Sequence, residues 1–286
     1  VIIANTYQLV SIHGIQSIMI ADSLAGKRIA VTGSTGFLGT ALVEKLLRSV
    51  PDCELVLLVR PTRRYSVERR VNREILKNDA FNLLRAQWGP DFEQRCEKRI
   101  QVVSGDVSQD GLGLSDADNE TFTSCDVIIH SAATVSFDNP LDTSIEINLL
   151  GPNRIIEALH AANRTPHLVS VSTCYVAGNR RGDAREEFLA GTPFQVDVSW
   201  RGEVEAARRT RSDLDARSRE PNRLSGFRKE AREELGAAGL PMLAAKTEQR
   251  RQIWVNDQMV EAGRSRATSL GLSLIHISEP TRRRGI

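Results

Sequence analysis

Short apolar runs at 28–31, 54–59, 100–104, 127–130 and 168–172 alternate with longer stretches, among them 40–50, 66–88 and 141–162, whose apolar positions recur at helical spacing. Such alternation predicts parallel strands joined by right-handed helical crossovers. The fold class expected is α/β, a doubly wound parallel sheet, although the pattern does not give the strand order. From about 197 to 271 the chain changes character and becomes rich in Arg, Glu and Ala. Its apolar positions there include Leu235, Leu243, Ile253, Trp254, Val255 and Met259. This predicts a charged helical insertion. Charges of mixed sign predict solvated helix faces; the alternative, arginines that meet the phosphates of a large substrate, singles out no residue.

The first strand runs into Val31-Thr32-Gly33-Ser34-Thr35-Gly36-Phe37-Leu38-Gly39, and a helical pattern follows at once. Strand, glycine loop and helix in that order predict a dinucleotide site. Gly33 turns the chain off the strand, Gly36 lets backbone approach a pyrophosphate, and Gly39 lets the helix pack closely, with its first N–H groups facing phosphate. The spacing resembles the fingerprint of the extended short-chain dehydrogenases/reductases, so the sheet is expected to be a Rossmann fold of that type.

Bulk properties narrow the picture only slightly. The 286 residues suffice for one large or two modest domains, and 38 Lys and Arg against 36 Asp and Glu predict no nucleic-acid partner from net charge. Cys53, Cys96, Cys125 and Cys174 form no Cys-x-x-Cys pair and are expected to be buried reduced thiols of a cytoplasmic protein. No metal site is expected. Residues 1–18 are apolar but broken by polar side chains, and they read as neither a secretory signal nor a membrane span.

Side-chain chemistry gathers where strands end. Arg60 closes the second strand, with Arg63 and Arg64 following; a guanidinium there favours the extra phosphate of NADP over the free ribose of NAD, so NADPH is the cofactor expected. Asp106, followed by Val107, has two readings: acceptor for an adenine amino group, or cap of a turn. Ser131, Ala132 and Ala133 supply small residues beside the nicotinamide, while His130 reads as a satisfied strand-end histidine and is given no proton-transfer role. After the fifth strand, Thr173, and less favourably Ser172, have two readings: a hydroxyl placed where a substrate carbonyl oxygen gains charge during hydride attack, or a strand-end hydroxyl that satisfies backbone, which is the stronger reading on this feature alone. Tyr175 is near but does not match the usual catalytic tyrosine position.

Taken in order, the glycine loop, 57–61, Gly105-Asp106, the run His130-Ser-Ala-Ala-Thr-Val-Ser-Phe, Asn148 with Gly151, and 172–178 resemble fatty acyl-CoA reductases and, more broadly, the thioester-reductase branch of the extended reductases. The resemblance is good over 25–177 and looser beyond. It implies hydride transfer from NADPH to an acyl thioester such as acyl-CoA, giving an aldehyde or, after a second reduction, an alcohol. It further implies that Gly33, Ser34, Thr35, Gly36, Phe37, Leu38, Gly39 and Arg60 hold the cofactor. Asn148 would support the active-site network, although a structural helix asparagine is an equal reading. Membrane association is compatible with long acyl substrates but no segment requires it.

That family's Tyr-x-x-x-Lys pair is missing, since no tyrosine follows Gly178. The run Leu272-Ser-Leu-Ile-His-Ile-Ser-Glu-Pro-Thr-Arg282 resembles the conceptual translation of a sequencing-library adapter, and Met19 precedes a natural lead-in to the first strand. The expected organisation is therefore a tail at 1–25 with a start at Met19, an NADP-binding domain at 26–196, a helical insertion at 197–271 and a non-native tail at 272–286. On this reading the chain is an inactive fragment that stops before the substrate domain. Two alternatives remain: a noncatalytic NADP-binding sensor, and another extended reductase acting on a sugar nucleotide or sterol.

Overall fold

Five parallel strands, β1 (Arg28–Thr32), β2 (Glu54–Val59), β3 (Ile100–Ser104), β4 (Val127–His130) and β5 (His167–Ser170), form one sheet in the order β3-β2-β1-β4-β5. The structure, a computed structural model, describes residues 20–136, 138–173, 183, 197–236 and 241–271. The proposed start at Met19, the tail at 272–286, Cys174, Tyr175 and Gly178 lie outside the described residues. Two units are distinguished, 1–133 with 146–174, and 134–145 with 175–286.

In the first unit, helices α1 (Phe37–Ser49), α2 (Asn82–Trp88), α3 (Phe92–Arg99), α4 (Asp116–Thr123) and α5 (Leu150–Ala161) accompany the sheet. Both faces of β1, β2 and β4 are buried, which is why they read as continuous apolar runs, while the edge strands β3 and β5 are only partly covered. Alternate residues feed separate cores: Ile29, Val31, Leu55, Leu57 and Ile129 pack with Val43, Leu47 and Phe81, while Ala30, Val56, Leu58 and Ile128 pack with Phe122, Ile155 and Leu159. Each such aliphatic or aromatic side chain contributes roughly 1.5–3 kcal/mol by burial. Cys53, Cys96 and Cys125 are buried free thiols. Burial pushes Cys96 and Cys125 up to about 11, leaving them unreactive near neutrality.

Two segments that periodicity predicts as unbroken helices are interrupted. Over 66–88 a helical turn, Val67–Arg70, widens into a π turn, Val71–Leu76, and the chain restarts at Asn78, whose side chain accepts from Ala80 N at 3.0 Å. Arg85 secures that break by donating to the carbonyls of Leu76 and Asn78. Over 141–162 a π turn, Ile145–Leu149, separates the short helix Leu141–Ser144 from α5. Pro152 has no N–H for the Asn148 carbonyl four residues back, so the regular ladder fails there and the wider turn takes its place.

The second unit contains α6 (Trp200–Ser218), α7 (Pro221–Leu235) and α8 (Leu243–Ser269). Leu214, Val255 and Met259 are buried together, with Trp254 and Leu141 packed against them, whereas Ile253 turns 44% of its surface to solvent. Arg251 departs from the expectation of solvated charge. It is 1% exposed and donates to Glu248, to Asp215 at 2.5 Å and to Ser218 at 2.7 Å, a hub linking α6 to α8. Arg211 grips both Asp142 carboxylate oxygens, at 2.7 and 2.8 Å. Among the described residues no helix is long and apolar enough to cross a membrane.

Arg99 closes the turn between α1 and β2. Its guanidinium donates to the carbonyls of Leu47, Val50 and Cys53 at 2.8–2.9 Å, satisfying the end of α1. Arg99→Ala should lower stability by about 2 kcal/mol in urea unfolding, because three carbonyls lose a charged donor. An effect within error of zero would show that water replaces those bonds without cost.

Candidate functional site

Parallel pairing puts the C-terminal ends of all five strands on one edge of the sheet, and the order reverses between β1 and β4. That crevice is where open α/β sheets take ligands. Register pairs Thr32 with His130, so the glycine loop leaves β1 directly beside the end of β4.

Gly33 has φ +72°, and a Cβ there would lie 2.6 Å from Ala132 N and 2.7 Å from Ser131 O. Neither the conformation nor the approach admits a side chain. Gly39, in the first turn of α1, is more crowded still, since its Cβ would stand 2.1 Å from the Gly33 carbonyl oxygen. It therefore packs the helix onto the loop. Gly36 is the N-cap of α1 and makes no side-chain cap, which leaves the first-turn N–H groups directed past the loop. Phe37 is 100% exposed and Leu38 half exposed, Thr35 is partly buried, and Thr40 Oγ1 donates to the Ser34 carbonyl at 3.0 Å. Ser34 is wholly buried, and its Oγ has no hydrogen-bond partner.

Thr32, which sequence reasoning assigned no role, stitches the two loops. Its Oγ1 accepts from Ser131 N and Ala132 N at 3.2 Å each and lies 2.8 Å from His130 Nδ1. With both backbone donors aimed at this oxygen, its O–H donates a hydrogen bond to Nδ1, the arrangement of a neutral His130 with its proton on Nε2. Burial depresses the His130 pKa to about 4. A hydroxyl just before the first glycine was the available signal; its partner, 98 residues away, was not.

On the other side of β1, Arg60 follows β2 and is exposed, its carbonyl held by Arg70 Nη1 at 2.5 Å. Arg63 and Arg64 line an open cleft of about 440 Å³ formed by 61–68 and Ser104. Tyr65 lies beneath two further guanidinium groups, Arg69 and Arg73, at 4.8 and 5.0 Å. Gly105 N donates to Val59 O, and Asp106 Oδ1 accepts from Ser108 N at 2.9 Å and Ser108 Oγ at 2.7 Å. One carboxylate oxygen of Asp106 thus builds the turn; the other has no partner among the described residues. Val107 is buried against Gly151.

Ser131, Ala132 and Ala133 follow β4, and exposed Ser172 and Thr173 follow β5 on the same edge. Asn148 is exposed in the π turn before α5, not at a strand end.

The strand order and the glycine cradle define a dinucleotide-binding Rossmann unit. A profile of the NAD-binding family described as "Male sterility protein" matches residues 31–237, and the chain belongs to that family. Similar curated proteins include "Fatty acyl-CoA reductase 2, chloroplastic" of Arabidopsis thaliana, 31% identical over 68% of this chain and 34% of its own length. Another is "Alcohol-forming fatty acyl-CoA reductase" of Simmondsia chinensis, 34% identical over 65% of this chain and 37% of its own length. The chain thus spans little more than a third of these relatives. Among solved structures, the terminal R domain of the myxalamid PKS-NRPS pathway is 31% identical over 58% of this chain and 40% of that one, with a TM-score of 0.46.

The residues present fit a nicotinamide dinucleotide: the loop is closed to any Cβ at Gly33 and Gly39, and a buried hydroxyl stands unpartnered at Ser34. Ser34→Ala should stabilise the ligand-free chain by about 1 kcal/mol, because an unpaired buried oxygen is removed. If dinucleotide affinity falls at the same time, Ser34 finds its partner in the ligand; unchanged affinity would give it no binding role. His130 supplies a second expectation. Its depressed pKa means the unfolded chain takes up the proton first as pH falls below 6.5, so folding stability declines toward pH 4 by about 3 kcal/mol. His130→Gln should flatten that slope in pH-dependent thermal unfolding.

Proposed function

We propose that this chain is the cofactor-binding portion of an NADPH-dependent reductase of fatty acyl-CoA or a related acyl thioester. The observation that carries the reading is the glycine cradle on the β4 loop with Arg60, Arg63 and Arg64 beyond β2. The names of its relatives support the thioester substrate. When bound, the dinucleotide would supply a hydride. The chain's own residues would do the rest of the holding: Gly33, Ser34, Thr35, Gly36, Phe37, Leu38 and Gly39 around the pyrophosphate, Arg60 at the ribose phosphate, Asp106 and Val107 at the adenine, and Ser131, Ala132 and Ala133 along the nicotinamide.

Thr173, with Ser172 beside it, would donate a hydrogen bond to the substrate oxygen as negative charge develops there. Asn148 would support that network. No tyrosine follows Tyr175 in the sequence, so these 286 residues do not themselves offer a Tyr-x-x-x-Lys proton donor. Aldehyde and alcohol products both agree with the relatives' names. A location in the cytoplasm, peripheral to a membrane or not, belongs to the same proposal.

Fluorescence titration of the 286-residue chain should give at least about tenfold tighter binding of NADPH than of NADH, with Arg60→Ala removing most of the difference. Equal affinity for the two would overturn the NADPH assignment. Binding of neither would overturn the cofactor role. Acyl-CoA turnover by the chain alone should be absent; robust turnover would show that another group supplies the proton.

A further inference from the structure

Buried charge is scarce in the first unit, and Arg154 is its largest instance, 6% exposed on α5. Its guanidinium is shared between two segments far apart in sequence. In one direction Nε donates to Asp110 Oδ1 at 3.1 Å and Nη1 to the Val107 carbonyl at 3.4 Å, both in the loop after β3. In the other, Nη1 donates to the Glu146 carbonyl at 2.9 Å and Nη2 to Glu146 Oε2 at 2.5 Å, within the π turn that carries Asn148.

These contacts differ in weight. The Asp110 side chain is 99% exposed, so that ion pair is screened and weak. Glu146 is only a quarter exposed, and the Val107 carbonyl bond is buried. Packing adds a contact to the link, because Gly151 of α5 lies against Val107, where even a Cβ would stand at ordinary van der Waals distance, 3.5 Å. The planar fork of a guanidinium holds several acceptors in one fixed relation, which a flexible ammonium does less well.

We infer that Arg154 is a positioning residue that locks the loop after β3 to the π turn Ile145–Leu149, so that the adenine side of the dinucleotide site and Asn148 move as one body. The roles of Asp106 and Asn148 rest on the function proposed above; the mechanical link between the segments does not. Pro152 lacks the N–H that a regular helix would present at that point, and Arg154 adds a side-chain hold on the turn where the helical ladder changes.

Hydrogen exchange read by mass spectrometry on the complete chain tests the link without ligand. Glu146→Gln removes the carboxylate charge that Arg154 grips at the π turn, and it should speed exchange at 106–113, beyond its own contact with Arg154, by about threefold or more, while amides of β1 and β2 stay unchanged. In an Arg154→Met background the same Glu146→Gln change should leave 106–113 unaltered, and Arg154→Lys should fall between. The inference is overturned if the Glu146→Gln effect stays within 144–150, or if it reaches 106–113 equally in Arg154→Met. Should Arg154→Met not fold, Glu146→Gln alone and combined with Arg154→Lys decide the matter.

Adding NADPH separates this from the functional reading. In the wild type it should slow exchange in both segments, and in Arg154→Met at 106–113 only; slowing of both segments in Arg154→Met would also overturn the clamp. Failure of NADPH to bind any variant would sink the cofactor reading, while the ligand-free comparison would still decide the coupling.

Discussion

Everything at the sheet's edge depends on how closely two stretches of backbone approach each other. The turn at Gly33 rests against the peptide between Ser131 and Ala132, where even a methyl group has no space, and α1 then rests on the turn through Gly39. Backbone contact this close must satisfy its own polar groups. Thr32 does so by accepting two N–H groups and donating its own O–H hydrogen bond to His130, which burial keeps neutral. Glycine, threonine and histidine thus act as one unit drawn from two neighbouring strands, and the helix that follows keeps the direction the loop gives it.

Charge is handled differently in the two units. In the first, arginines with firm partners are structural: Arg99 closes a helix end, Arg70 fixes the exit of β2, and Arg154 joins two loops. By contrast, Arg60, Arg63 and Arg64 have no acidic partner among the described residues, and they gather beyond β2 where the sheet is open to solvent. In the helical unit several described arginines pair with carboxylates, Arg211, Arg251 and Arg266 among them, and the buried Arg251 turns a charged sequence into a specific helix packing.

The inner strands β1, β2 and β4 were legible because burial on both faces leaves an apolar run, and the glycine loop was legible because its spacing sits between a strand and a helix. β5 begins one residue earlier than periodicity suggests and ends two earlier, a boundary blurred by the hydroxyl residues after it. The broken helices were not read, although Asn78 and Pro152 were both visible; helical periodicity survives a π turn and conceals it. Ile253 and Val255 are both apolar positions of the helical stretch, yet only Val255 is buried, and sequence alone does not tell the two apart. Thr32 with His130, and Arg154 with Glu146, could not be paired at all. Their partnerships depend on strand register and on which loop faces which helix, and local sequence carries neither.

The parallel order has a consequence in time as well as space. β1 occupies the centre of the sheet, yet the strand that completes its other side begins about a hundred residues later, at Val127. A ribosome that has released the glycine loop has not yet made the surface on which that loop rests. The nascent segment up to β3 can pair β1 with β2 and bury one flank, but the cradle has no floor until β4 emerges. Long-range closure of this kind is slow compared with local helix formation. Competence to bind a dinucleotide should therefore arrive late and abruptly during synthesis, as a property of the closed sheet and not of the motif that announces it.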